Sequence, residues 1–287
     1  MEVTFLASES LGTRSMSTVV KAGRLTILID PGVALAPRRY GLPPHPIELE
    51  RMNEHWGKIK EAAATADVII VTHYHYDHHN PHDPSIYKDK IVLVKHPTKK
   101  INASQKRRAA FFLEQVKPFA GVIEYSDGRE FSFDDVTLRF SQPVFHGTNE
   151  KLGYVTEVSI SRGGRTLVFT SDVEGPSLEE QAKFILQEDP DILVCDGPVT
   201  YMLGYRYMYE SLEQSLFYAS KILHETKVKD FILEHHLLRD LEWRDRIKPL
   251  LLEAEECGVN VRTAAEYMGL ENDFLEANRK NLWGRTT

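Results

Sequence analysis

The sequence predicts an α/β fold in which two β-sheets pack face to face with helices on their outer surfaces. Two observations carry this reading. Short apolar runs are rich in β-branched residues, and each half of the chain is strand-rich first and then alternates strands with helices. A third observation concerns organisation: no short repeat and no low-complexity linker interrupts the 287 residues, so 1–287 reads as a single domain with helical insertions near 46–66 and 98–118.

Composition sets the bounds. Hydrophobic content of 42% and charged content of 27% are ordinary for a globular chain with a full core. No apolar run reaches the roughly 20 residues of a membrane span, and Met1 to Phe5 lacks a basic segment followed by an apolar one. A cytoplasmic protein with no membrane partner is expected. The net charge of −7 argues against a surface that binds nucleic acid broadly. Cys195 and Cys257 have no paired spacing, which excludes a disulfide framework or a Cys-rich zinc site and leaves buried free thiols.

The first strands are read at 3–6, 17–20 and 25–30, with Gly23 available for the turn between the last two and Asp30-Pro31-Gly32 ending the third. A proline-rich loop over Ala36 to Pro46 follows. Leu49, Met52, Trp56, Ile59 and Ala63 then recur at helical spacing over 47–66, with His55 as a surface or packing residue. Val68 to Val71 is a buried strand, and Ile91 to Val94 is another.

Between Lys95 and Lys117 lies the one strongly basic stretch, seven cations against Glu114. Ala109, Phe112, Leu113 and Val116 give it the apolar side of an amphipathic helix, so a solvated face is one reading and an anion-receiving rim carrying Lys100 and Arg107 is the other. Strands follow at 122–125, 130–133 and 136–140, where Phe131, Phe133, Leu138 and Phe140 alternate. Gly153 to Ile160 and Thr166 to Asp172 form a further pair around the Arg162–Arg165 turn. A helix over 177–187 takes Ser177 as its N-cap. The remainder alternates a strand at 191–196, a tyrosine-rich loop at 197–209, a helix at 211–224, a strand at 229–234, a helix at 243–257 and a short strand at 260–263. Tyr201, Tyr205, Tyr207 and Tyr209 are expected to be exposed, lining a substrate pocket or a subunit contact, against the commoner role of aromatics in a core.

The chemistry concentrates where the strand at 68–71 ends in His73-x-His75-x-Asp77-His78. Four potential ligands within six residues at the end of an apolar run carry a large desolvation cost unless something coordinates them. A tight turn after Thr72 lets His73 and His75 point one way and Asp77 and His78 another, which suits two adjacent metal ions. This motif resembles that of the metallo-β-lactamase-fold superfamily. The resemblance implies a four-layer αββα sandwich with two packed mixed sheets, and it extends over most of the chain because ligand types recur in the superfamily's order.

By that resemblance His73, His75 and His146 hold one metal, Asp77, His78 and His235 hold the other, and Asp172 bridges them. Asp30 and Asp196 orient ligands from behind, or else cap turns. His235 competes with His236, whose alternative part is to act on the substrate beside Asp77. Imidazole and carboxylate suit Zn²⁺, and also Mn or Fe. Two such ions share a hydroxide that attacks an electrophile while both stabilise the developing oxyanion. Asp172 in place of Cys separates the chain from zinc β-lactamases, and His75 in place of Glu separates it from flavodiiron reductases. The hydrolase branch remains, with glyoxalase II, lactonases and RNA-processing phosphodiesterases, and the chain looks most like a group of such proteins from archaea and thermophilic bacteria. The resemblance therefore implies a two-metal hydrolase of phosphodiesters or other small anions. The alternatives are a lactone or thioester hydrolase and a mononuclear iron oxidoreductase of the same fold.

Overall fold

The computed structural model describes residues 1–284. Strands β1 (Glu2–Ser8), β2 (Met16–Ala22) and β3 (Leu25–Ile29) form an antiparallel meander, with Gly23 at φ +66° in the second turn. The same sheet continues in parallel through β4 (Val68–Val71), β5 (Ile91–Val94) and β6 (Val122–Tyr125). The long connections into the parallel strands contain helices α1 (Pro46–Thr65) and α2 (Ala103–Val116), as a parallel pairing requires.

The second sheet repeats the plan in a different strand order. β7 (Glu130–Phe133), β8 (Val136–Phe140), β11 (Val158–Arg162) and β12 (Arg165–Phe169) are antiparallel neighbours, and β13 (Ile192–Asp196), β14 (Asp230–Glu234) and β15 (Asn260–Arg262) extend them in parallel. Helices α3 (Glu179–Glu188), α4 (Tyr209–Glu225), α5 (Trp243–Arg246) and α6 (Lys248–Cys257) connect these strands, and α7 (Ala264–Tyr267) and α8 (Arg279–Gly284) end the chain. A small ribbon of β9 (Val144–Phe145) and β10 (Tyr154–Val155) stands apart from both sheets.

Three apolar clusters make the four-layer αββα sandwich. Phe5, Val20, Ile27, Ile29 and Ile70 of the first sheet meet Leu138, Phe140, Ile160, Phe169 and Ile232 of the second. On the outer face of the first sheet, Leu28, Ile69 and Val92 pack beneath Ala63 of α1 and Phe112 of α2. On the outer face of the second, Leu193, Cys195 and Phe231 pack beneath Ile185 of α3, Ile222 of α4 and Leu250 of α6. Both faces of β4 and β13 are therefore covered, which is why they read as continuous apolar runs rather than alternating ones.

Several boundaries differ from the sequence reading. Ser177 is not the N-cap of α3: Leu178 holds that place, and the Ser177 hydroxyl is buried with no hydrogen-bond partner. The run Gly153 to Ile160 divides into β10 and β11, because the Thr156 amide leaves the ribbon to donate to the Thr72 carbonyl at 3.2 Å. The helix at 243–257 breaks at Ile247, where Pro249 in the first turn of α6 has no amide to continue α5. Cys195 is buried, but Cys257 is only half-buried. His55 lies fully inside, its Nδ1 2.7 Å from the Thr13 hydroxyl. No helix among the described residues is long and apolar enough to cross a membrane.

Candidate metal centre

The ends of parallel strands from both sheets converge on one point, as ligand sites in open α/β sheets do. His73 follows β4, Asp172 follows β12, and His235 follows β14 directly. His146 arrives from the ribbon, its amide donating to the Gly153 carbonyl at 3.0 Å. The ligand turn itself is packed against Gly32, where a Cβ would sit 2.3 Å from the His79 nitrogen and 2.6 Å from the His78 carbonyl carbon. Only glycine admits that approach.

Ligand-type atoms of His73, His75, His146 and Asp172 all lie within 4.8 Å of one another, and so do those of Asp77, His78 and His235. Asp172 links the two groups. Its Oδ2 is 3.2 Å from His146 Nε2 and 3.2 Å from His235 Nε2, and its Oδ1 is 3.0 Å from His78 Nε2. Yet Asp172 Oδ1, His78 Nε2 and His73 Nε2 are buried without a hydrogen bond. Buried polar atoms that approach closely but aim past each other need a common partner. An imidazole and carboxylate set of this kind fits divalent metal ions.

The outer faces of the imidazoles are held by the protein. Asp30 Oδ2 accepts from His78 Nδ1 at 2.8 Å and from the Thr72 hydroxyl at 2.6 Å, while its Oδ1 accepts from the Thr72 amide at 2.8 Å. Ser171 Oγ lies 3.2 Å from His73 Nδ1 and 2.6 Å from Thr72 Oγ1. Glu9 Oε2 accepts from His235 Nδ1 at 2.8 Å, and its other oxygen takes Arg239 Nε and Nη2 at 2.9 and 2.7 Å. Such contacts fix which ring nitrogen points inward.

His235 and His236 face different ways. His235 Nε2 looks toward Asp77 and Asp172, at 3.6 and 3.2 Å. His236 Nδ1 is bonded to Asp196 Oδ2 at 2.9 Å, and the ring lines a cavity with Glu174, whose Oε1 is 3.9 Å from His236 Nε2. Asp196 also accepts from the amides of Glu174 and His236, so it both ends its strand and steadies the cavity floor. His236 atoms also come within reach of His146 with Glu174, and of Asp172 with His235.

Electrostatics follow from burial and crowding. Burial pushes the imidazoles of His73 and His75 down, His75 to about 3 with His146 adding to the effect. His78 and His235 move up: burial is the largest single effect and opposes this, but the carboxylates around each ring together outweigh it, Asp172 with Asp30 at His78 and Asp172 with Glu9 at His235. The Asp172 and Asp77 carboxyls are held low against the cost of burial by the surrounding imidazoles. Burial raises Asp196 and Glu174 and lowers His236.

The cavity measures about 590 Å³, the size of a small-molecule site. Lys100 and Arg107 are not among its lining residues: each lines a different surface depression, Lys100 with Lys99 and Arg129, Arg107 with Tyr76 and Phe111. Lys95, from the same basic stretch, is buried and donates to the Lys99 carbonyl at 3.0 Å. Lys151 and Arg206 are the cations of the cavity wall instead, with Tyr201, Tyr205 and Tyr207 beside them. Tyr207 is buried, contrary to expectation, and donates to the Glu174 carbonyl at 3.1 Å, whereas Tyr205 and Tyr209 are exposed. Glu9, Glu174 and Arg239 carried no sequence signal, since each depends on contacts made by the fold.

A family model for the beta-lactamase superfamily domain matches residues 26–236. A curated "UPF0282 protein" of Korarchaeum cryptofilum is 52% identical over 284 residues, covering 99% of this chain and 94% of its own. Among solved structures, an isothiocyanate hydrolase from Delia radicum gut bacteria superposes with a TM-score of 0.55 at 20% identity, covering 87% of this chain and 94% of its own. Tm1679, a metal-dependent hydrolase of the beta-lactamase superfamily, superposes with a TM-score of 0.51 at 10% identity, covering 91% and 94%. At such identities these structures are similar in fold alone.

Proposed function

The chain belongs to the beta-lactamase superfamily, among relatives described as UPF0282 proteins, and from that premise we propose that it is a metal-dependent hydrolase with a two-ion centre. The observation that carries the reading is the convergence of buried, unpartnered Asp172 Oδ1, His78 Nε2 and His73 Nε2 on one point. His73, His75, His146 and Asp172 would hold one ion, Asp77, His78 and His235 the other, and the central position of Asp172 suits a shared ligand. Zinc is the first choice for this donor set, with manganese or iron compatible. When bound, such ions supply a water acidic enough to attack at neutral pH and a Lewis acid for the developing oxyanion.

The remaining work falls to the chain. Asp77 sits at the edge of the cluster, its Oδ2 3.6 Å from His235 Nε2, where it would take the proton of the attacking water. His236 is anchored on Asp196 through Nδ1, which leaves Nε2 toward the cavity to exchange a proton with the leaving atom. A phosphodiester is the first substrate class to test. Lactones and thioesters come next, because one such site serves several hydrolyses. The second cluster around His235 favours two ions over the single-iron oxidoreductase reading.

Metal analysis of the purified protein and assay of the loaded form on phosphodiester, lactone and thioester panels test this together. Two ions per chain, and turnover that falls at least 10²-fold in His75→Ala, are expected. One iron per chain with no hydrolysis of any panel member would sink the reading.

A further inference from the structure

The cavity over the candidate centre has a floor and a rim of different chemistry. His146 and His236 form a buried floor with Glu174, whereas Lys151 and Arg206 are exposed residues at the mouth, one from the loop after β9 and one from the loop before α4. Glu174 is the only carboxylate among the lining residues, and it is turned to the two floor imidazoles at 3.6 and 3.9 Å. Neither rim cation has a carboxylate partner among the described residues. The Arg206 guanidinium lies over the Tyr205 ring, 5.6 Å from its centroid. Buried Val199, half-buried Met202 and exposed Leu152 add an apolar lining. In a chain of net charge −7, two cations at the mouth of the cavity that His146 and His236 line run against the overall balance.

We propose that Lys151 and Arg206 hold a second anionic group of the substrate, remote from the bond that breaks, so that the enzyme selects small molecules carrying a hydrolysable group at one end and a carboxylate or phosphate at the other. This rests on the hydrolase reading above. The floor takes the reacting end, the apolar lining takes a short hydrocarbon or aryl body, and the rim fixes the far end. Lys100 and Arg107, which face other depressions, have no part in it.

The test measures binding of phenylphosphonate and of 4-carboxyphenylphosphonate to the metal-loaded protein by calorimetry, in wild type, Lys151→Ala/Arg206→Ala and Lys151→Arg/Arg206→Lys. Two solvent-exposed charge contacts correspond to about a tenfold preference for the carboxylated probe in wild type. That preference should vanish in the alanine pair and return in the charge-conserving pair, with phenylphosphonate as the internal reference within each protein. It should also shrink as salt rises. Equal affinity for the two probes in wild type, or a preference that survives in the alanine pair, overturns the proposal while leaving the hydrolase reading intact. Binding of neither probe by loaded protein also overturns the proposal, whereas the hydrolase reading falls only with the metal analysis and the substrate panels.

Discussion

Replacing Glu9 tests how much of the centre depends on a residue with no motif around it. Glu9 is 4% exposed, and its carboxylate joins two buried groups, Arg239 through two bonds at 2.9 and 2.7 Å and His235 Nδ1 through one at 2.8 Å. Glu9→Gln keeps the shape and one acceptor but removes the charge, leaving buried Arg239 without its ion-pair partner. Breaking a buried pair from one side costs about 3–5 kcal/mol. Loss of the carboxylate behind a ligating imidazole typically weakens metal binding about 10–100-fold. Denaturant unfolding of chelated protein reads the first effect, and competition with a chromogenic chelator reads the second. Glu9→Gln combined with Arg239→Met removes both charges, so it should recover most of the lost stability but not the lost affinity. A single variant that unfolds within about 1 kcal/mol of wild type and retains metal equally well would refute the assignment of Glu9 to both tasks.

Three further outcomes are expected. Gly32→Ala drives a Cβ into the backbone of His78 and His79, so it should cost about 1–3 kcal/mol and weaken metal retention, read by unfolding and chelator competition. His55 is lowered from 6.5 to about 3, by burial first and then by Lys58 and Arg51. Its neutral form thus contributes stability that is present above pH 6.5 and is lost as pH falls toward 3. Between pH 6.5 and 4.5 wild type should lose about 2–3 kcal/mol more than His55→Gln in parallel denaturation series. Ser177→Ala should change stability by less than about 0.5 kcal/mol, where loss of a working N-cap would cost about 1; thermal melts decide between them.

What was legible in the sequence was local. The β-branched runs gave both sheets because each lies under a helix layer, and the cluster from His73 to His78 follows its strand within two residues. Asp30 was legible only through the family resemblance, with a turn cap as the other reading; it meets Thr72 and His78 because β3 ends beside β4, where Ile29 pairs with Ile70. Glu9 was not, because it meets His235 across 226 positions and nothing local marks the partnership. The basic stretch left its two readings open for a related reason. Charge counted along a chain says nothing about which face of α2 meets the sheet, and Phe112 and Val116 turn inward there while the cavity's cations come from two loops in the second half. The choice between His235 and His236 escaped strand alternation because β14 ends at Glu234 and His235 departs at φ +60°.

That departure belongs to a pattern. Asp30, Ser171, Glu174 and His235 all have positive φ, between 48° and 60°, and all four lie against the candidate centre. None of the four is a glycine, and a non-glycine residue held in the left-handed region costs about 1–3 kcal/mol. The strand ends explain the need. Parallel strands deliver their ends side by side, and a side chain that must point back over the ends of both sheets has to leave its strand at a sharp angle. The strain is held by the contacts behind it: the Asp30 bonds to Thr72, the Asp196 bonds to the amides of Glu174 and His236, and the Glu9 pair with Arg239. In the two-ion reading, binding adds the remaining support, since a ligand present at a thousand times its Kd stabilises the folded state by about 4 kcal/mol. The metal-loaded protein should therefore melt well above the chelated one, and the segments from Asp30 to Gly32, Ser171 to Glu174 and His235 to Arg239 should lose amide-exchange protection first when the metal is removed. Uniform loss of protection across both sheets would instead mean that these strained ends unfold only with the whole molecule.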